Sequence, residues 1–163
     1  MEIRRAQPVD ASALSRIART SKASWGYPEV WLEQWQEQLT IPPEFIAANE
    51  TFIAVIDRQI VAFHALLQTP TEIRLEHLWV LPEHMGRGIG RKLFAHAVER
   101  ARALGAISLT IEADPNAEAF YRHLGAIKVG AVETEIEGQR RELPLLSLGL
   151  GNHRHAGQTA PAN

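Results

Sequence analysis

The sequence contains no cysteine, which excludes a disulfide framework, a thiolate metal site and a cysteine nucleophile and fits a reducing compartment. It has no apolar run long enough to span a bilayer, and the polar start Met1-Glu2-Ile3-Arg4-Arg5 is not followed by the apolar core of a signal peptide. A cytoplasmic protein without a membrane partner is expected. Neither sign of charge is in excess: 17 Lys and Arg stand against 19 Asp and Glu, a formal net charge of −2, so no general attraction to nucleic acid is expected. There is no internal repeat. His153 and His155 have no third ligand nearby in sequence, so no structural or catalytic metal is expected. What is present is 163 residues with 45% hydrophobic content, enough for one domain that buries about two-thirds of its unfolded surface.

The chain is organised around the stretch from Val80 to Leu93. Ile73, Leu75, Leu78, Val80 and Leu81 read as a mostly buried strand, and Leu93, Phe94, Ala97, Val98, Ala101 and Leu104 recur at helical spacing. Between them lie Gly86, Gly88 and Gly90. Glycine lets the backbone turn tightly and lets a ligand approach main-chain N–H groups, and the first turn of the following helix leaves its own N–H groups without intrahelical partners. Those donors and the helix dipole suit a phosphate. Arg87, Arg91 and Lys92 add positive charge beside the turn, so a diphosphate ligand is expected there. Two common phosphate loops do not fit. A Walker A loop needs Lys and then Ser or Thr after its last glycine, where Arg91 and Lys92 stand, and the dinucleotide fingerprint begun at Gly86 needs glycine at position 91.

The stretch resembles the acetyl-coenzyme A-binding segment of the GNAT acyltransferases, Gln/Arg-x-x-Gly-x-Gly/Ala after a strand, with Gly88 and Gly90 as the small residues and Met85 where that pattern has Gln or Arg. A second match lies downstream. Asp114-Pro115-Asn116-Ala117-Glu118-Ala119-Phe120-Tyr121, followed by Gly125, resembles the family's Asn-x-x-Ala-x-x-Phe-Tyr signature, with Asp114 in the usual Asn position and Ala126 in place of the common Phe. The resemblance covers residues 1–148. It implies an α/β fold: a single domain with a GNAT-like mixed β-sheet flanked by helices. It also implies a coenzyme contacted by Leu78, Val80, Met85, Gly86, Arg87, Gly88, Ile89, Gly90, Arg91, Asp114, Asn116, Ala117 and Tyr121. Residues 149–163 are polar and read as a disordered tail.

Taken in order, Met1–Gln7 reads as a strand, and Asp10 or Ser12 can cap a helix with Leu14, Ile17 and Ala18 on one face. Trp31 and Trp35 are four apart, so a helix after Pro28 puts them on one face. A buried core face is the simpler reading. A substrate lid is the one the resemblance implies. Phe52–Ile56 and Ile60–Leu67 read as a hairpin about Asp57-Arg58-Gln59, with His64 as a core or edge residue. The helix from Arg87 to Leu104 is a right-handed crossover to a parallel strand Ile107–Glu112. Ile127–Val132 reads as a strand, Glu133–Arg141 as a polar loop, and Leu143–Leu150 as a last strand. Arg140, Arg141 and Glu142 are candidates to reach the acceptor end.

Strict alternation on the strand before the turn puts Glu76, Leu78 and Val80 on one face and His77, Trp79 and Leu81 on the other. Glu76, a carboxylate in an apolar strand, is a candidate general base with a raised pKa, a role that the resemblance supports. His77 is the fallback. The resemblance implies that Tyr121 protonates the leaving thiolate and that the acceptor is a small-molecule or peptide amine. The expected reaction is acetyl transfer from acetyl-coenzyme A by direct attack in a ternary complex. The rival expectations are a non-catalytic acyl-coenzyme A sensor on the same fold and a module for another diphosphate. A homodimer is compatible with either.

Overall fold

The computed structural model describes residues 1–151. A single sheet runs through it in the order β1-β2-β3-β4-β5-β7-β6, with strands β1 (Glu2–Arg5), β2 (Glu50–Ile56), β3 (Gln59–Gln68), β4 (Ile73–Val80), β5 (Ser108–Glu112), β6 (Ile127–Ile136) and β7 (Gln139–Gly149). Helices α1 (Ala11–Ala23), α2 (Glu29–Gln34), α3 (Pro43–Ala48), α4 (Ile89–Ala103) and α5 (Glu118–His123) complete the chain. Every neighbouring pair is antiparallel except β4 and β5. That pair brackets α4, the long crossover a parallel connection requires.

Helix α1 begins where the Gln7 N–H donates to Asp10 Oδ2 at 2.8 Å, and it buries Leu14, Ile17, Ala18 and Ser21, an i, i+3, i+4, i+7 stripe. The stripe packs with Ile46, Ile53, Phe63 and Leu81 on one face of the sheet. Helix α4 covers the other face through Leu93, Phe94, Ala97 and Ala101.

The β2–β3 hairpin turns on Asp57 (φ 49°) and Arg58 (φ 64°). Expected to be a polar loop, residues 133–141 instead complete a second hairpin: β6 runs to Ile136, β7 starts at Gln139, and only Glu137 (φ 48°) and Gly138 (φ 73°) lie between. Two left-handed residues match the twist of the flanking strands. The polar residues that suggested a loop are the ribbon's solvated side chains, with Thr134, Glu135 and Arg141 turned to a recess. Strand β7 runs to Gly149, and Leu150 is buried, its N–H donating to the Ile107 carbonyl at 2.9 Å. Most of the expected tail, with His153 and His155, lies outside the described residues.

Strand β4 breaks its alternation. Its register with β3 pairs His77 with Ala65 and Leu75 with Leu66, so Glu76 is an extra residue, a β-bulge. Leu75 before the bulge and Leu78 and Val80 after it all pack toward α4. Glu76 therefore does not share a face with Leu78 and Val80. It lines a recess with Arg74, His77 and Trp79 instead. The β4–β5 ladder reduces to one register pair, Arg74 with Thr110. Beyond it the two strands separate.

On β3, His64 is fully buried, with its Nε2 2.9 Å from His96 Nδ1 and its own Nδ1 without a partner among the described residues. Burial, reinforced by His96, pushes its pKa down to about 3 against a small opposing pull from Glu50. A histidine held neutral in the folded state binds its proton only on unfolding. Its contribution is intact above the unfolded pKa near 6.5 and is lost as pH falls from there toward 3, at up to roughly 1.4 kcal/mol per pH unit. Urea midpoints measured from pH 7.5 to 5 should fall accordingly, and His64→Leu should flatten the fall. An equally steep fall in the variant would assign the acid sensitivity elsewhere.

Candidate active site

The end of β4 passes through a 3₁₀ turn, Pro82–His84, into the glycine segment. Gly86 (φ 75°) and Gly88 (φ 78°) both take left-handed backbone, and a Cβ built at either would point into open space. Gly90 is constrained differently: its Cβ would stand 3.4 Å from the Phe120 ring. The first two positions thus demand glycine for torsion, while at the third a Cβ would just reach van der Waals contact and a larger side chain would meet Phe120 and Val80. Gly88 caps α4, whose first intrahelical bond runs from Lys92 N–H to the Gly88 carbonyl at 3.1 Å. The N–H groups of Ile89, Gly90 and Arg91 precede that bond and are the orphan donors of the first turn.

A groove of about 350 Å³ runs from this turn along β4, between Leu78 and Val80 on one wall and Asn116, Ala117, Phe120 and Tyr121 on the other. Met85, Gly86, Gly88, Gly90 and Arg91 close its outer end. Arg87 is exposed and does not line it, and the Ile89 side chain is buried in the core, so only main-chain atoms of Ile89 can serve a ligand. His84, which the sequence did not single out, also lines the groove, with a buried Nδ1 that has no partner among the described residues.

On the other side of the splayed strands lies the recess of about 360 Å³, walled by Trp35, Leu39, Trp79 and Leu143 and carrying Glu76, Glu112 and Glu135 beside Lys22, Arg74 and Arg141. A smaller cavity of about 140 Å³ in the β4–β5 gap shares Leu78, Ala117 and Tyr121 with the groove and Glu76, Glu112 and Lys22 with the recess. Groove and recess therefore approach each other through this gap, with Glu76 on the recess side and Tyr121 on the groove side.

Burial raises the Glu76 pKa and Glu112 adds to the rise, against a lowering pull from Arg74. Tyr121 is buried against Phe94 and Phe120, at ring separations of 5.5 and 5.1 Å, and burial raises its pKa well above that of a free phenol. Its proton is therefore retained at neutral pH. His77 sits between Phe45 and Phe63, accepts at Nδ1 from the Trp79 indole N–H at 3.2 Å, and is pushed by burial to a pKa of about 4. The nitrogen that a base needs is already engaged.

Asp114 is the hub of the region. Its side chain is only 5% exposed, and it accepts from Lys22 Nζ at 2.9 Å, from the Tyr27 hydroxyl at 2.9 Å and from the Asn116 N–H at 2.9 Å. Burial alone would raise its pKa, but Lys22 and these hydrogen bonds hold it below the ordinary carboxylate range. Burial also pushes the Tyr27 pKa up to about 12. Arg141 reaches the hub from β7: its Nη2 donates to the Tyr27 hydroxyl at 2.8 Å and lies 3.7 Å from Asp114. Arg140 is instead exposed and paired with Glu133, and Glu142 is exposed.

Of the tryptophans expected to form a core face, Trp35 packs against the buried cluster under α1 and Trp31 does not. Trp25, Trp31 and Trp35 are half-buried; Tyr27 stacks on Trp31 with centroids 5.9 Å apart, Lys22 lies 4.2 Å from the Trp35 centroid, and Arg141 packs over the same cluster at 4.9 Å. Their buried faces meet cations as well as apolar carbons. Lys22 was legible as an oddity, four residues after Ala18 on the apolar stripe of α1.

The arrangement matches a known class. Residues 13–126 fit the family model described as the acetyltransferase (GNAT) family, and the chain belongs to that family. It is 36% identical over 102 residues to streptothricin acetyltransferase of Streptomyces lavendulae, an alignment covering 59% of this chain and 54% of that protein. The chain thus matches about half the length of that relative. Among solved structures, a GCN5-related N-acetyltransferase from Rhodopseudomonas palustris superposes with a TM-score of 0.76 at 26% identity, over 91% of this chain and 94% of that one. The PaiA N-acetyltransferase of Thermoplasma acidophilum, solved in complex with coenzyme A, shares the fold with a TM-score of 0.72 at 19% identity, over 91% and 98% of the two chains.

Proposed function

We propose that this protein moves an acetyl group from acetyl-coenzyme A to a primary amine by direct attack. The observation that carries the reading is the approach of groove and recess through the β4–β5 gap, with a carboxylate of raised pKa facing one side and a phenol that keeps its proton facing the other. Coenzyme-bound acetyl would supply an activated thioester. The orphan N–H groups of the α4 first turn, with Arg91 beside them, suit its diphosphate, and Leu78, Val80, Asn116 and Ala117 suit its pantetheine arm. Glu76 takes the proton lost by the amine as the new C–N bond forms, and Tyr121 supplies a proton to the sulfur as the C–S bond breaks. Asp114 serves the coenzyme only indirectly, by holding Asn116.

Acetyl-coenzyme A should raise the melting temperature. Saturation at about 100 times Kd corresponds to roughly 2.7 kcal/mol. Gly90→Val, which would press a branched side chain against Phe120 and the groove floor, should lose most of the shift. No shift in the wild type, or a full shift in a folded Gly90→Val variant, would overturn the coenzyme assignment. A shift without thiol release across a broad panel of amines would favour the non-catalytic sensor.

A further inference from the structure

The recess is electrically divided. At one end, two buried cations, Lys22 and Arg141, with side chains 13% and 12% exposed, share the single carboxylate of Asp114. That cluster carries a surplus positive charge. Arg141 spends one Nη2 N–H on a protein hydrogen bond among the described residues, so its second Nη2 N–H, together with Nη1 or Nε on the same edge, remains as a two-donor fork that matches a carboxylate. At the other end Arg74 is answered by Glu72 at 2.8 Å and by Glu112 at 3.8 Å, whereas Glu76 has no hydrogen-bond or ion-pair partner among the described residues. Removing two cations from water for one carboxylate is unfavourable unless a second anion completes the set. A polycationic acceptor would bring more charge of the wrong sign, and the equal numbers of cations and carboxylates lining the recess give it no net attraction.

We propose that the acceptor is an amino acid, its carboxylate held on the free edge of the Arg141 guanidinium and its amine directed to Glu76. The inference rests on the acetyltransferase reading and names the substrate class of the same site. The acyl-transfer step is unchanged; Arg141 binds and orients the acceptor and takes no part in the proton transfers. A recess of about 360 Å³ holds a molecule of this size, and its aromatic and leucine walls leave room for an apolar side chain.

The test compares matched acceptors on the wild-type protein by thiol release from acetyl-coenzyme A: each amino acid against its amide and its decarboxylated amine, for example leucine, leucinamide and isoamylamine, with rates corrected for free-amine fraction. The amino acid should have a kcat/KM roughly 10- to 100-fold higher, the span expected of hydrogen bonds to a charged group. Arg141→Gln should raise KM for the amino acid by a similar factor with little change in kcat. It should leave the acetyl-coenzyme A melting shift as it was and raise KM for the amide and the decarboxylated amine far less than for the amino acid, and Arg141→Lys should recover part of the loss. Faster transfer to the amide or decarboxylated amine, or an Arg141→Gln variant slowed equally on all three, would overturn the amino-acid assignment alone. Coenzyme binding without transfer to any of these acceptors would overturn the amino-acid assignment, and only the absence of thiol release across the broad amine panel would overturn the acetyltransferase reading with it.

Discussion

Asp114→Ala is expected to destabilise the fold by about 3–5 kcal/mol, the usual cost of stranding buried charges. Lys22 and Arg141 lose the carboxylate they share, the Tyr27 hydroxyl loses its acceptor, and the Asn116 N–H loses its cap. For a domain of this length that corresponds to a fall in Tm of roughly 6–20 °C. Lys22→Met in the same background removes one stranded cation and keeps its length over the Trp35 ring, so the double variant should be more stable than the sum of the two single losses implies. Thermal unfolding of the four proteins in this cycle measures the coupling. A Tm within about 2 °C of wild type for Asp114→Ala, or strict additivity, would show that the hub is solvated and carries no weight.

The hub also shows where legibility from sequence ends. The glycine turn could be read because its parts lie within five residues, and each acts through backbone torsion or a first-turn N–H group, effects fixed locally. The crossover from β4 through α4 to β5 was legible for the same reason: apolar spacing switches period on either side of the turn. Asp114, by contrast, stood out in the sequence only as a departure from a signature position that usually holds Asn. Its partners Lys22, Tyr27 and Arg141 come from three other segments, and only the fold brings them to one carboxylate. The bulge at Glu76 was hidden because an inserted residue leaves no mark on composition. Counting by twos gave the wrong face, and the correct one appeared only in the pairing with Ala65 and Leu66. The residues from Glu133 to Arg141 look like a loop because the ribbon at the sheet edge is polar both where it faces solvent and where Thr134, Glu135 and Arg141 line the recess. Glu137-Gly138 was its turn signal.

Glu76→Gln should lower kcat by roughly 10²–10⁴-fold, the contribution of a positioned base, while leaving the acetyl-coenzyme A melting shift unchanged, because Glu76 lines the recess and not the groove. Glutamine keeps the shape and hydrogen-bonding reach of the side chain, so a loss of rate reports the missing charge and basicity. The pH dependence carries the sign. Burial and Glu112 raise the Glu76 pKa, and Arg74 opposes them; the base is active only when ionised, so the acidic limb of kcat should rise with pH through an apparent pKa above the ordinary carboxylate value near 4.3. Glu112→Gln should move that limb to lower pH and Arg74→Gln to higher pH. In Glu76→Gln the limb should disappear, leaving a rate that follows the free-amine fraction of the acceptor. His77 is a poor substitute, since its Nδ1 already accepts from Trp79 and its pKa is pushed to about 4. Turnover and a pH profile indistinguishable from wild type in Glu76→Gln would mean that the amine loses its proton directly to solvent, and that the bulge on β4 shapes the recess without supplying its base.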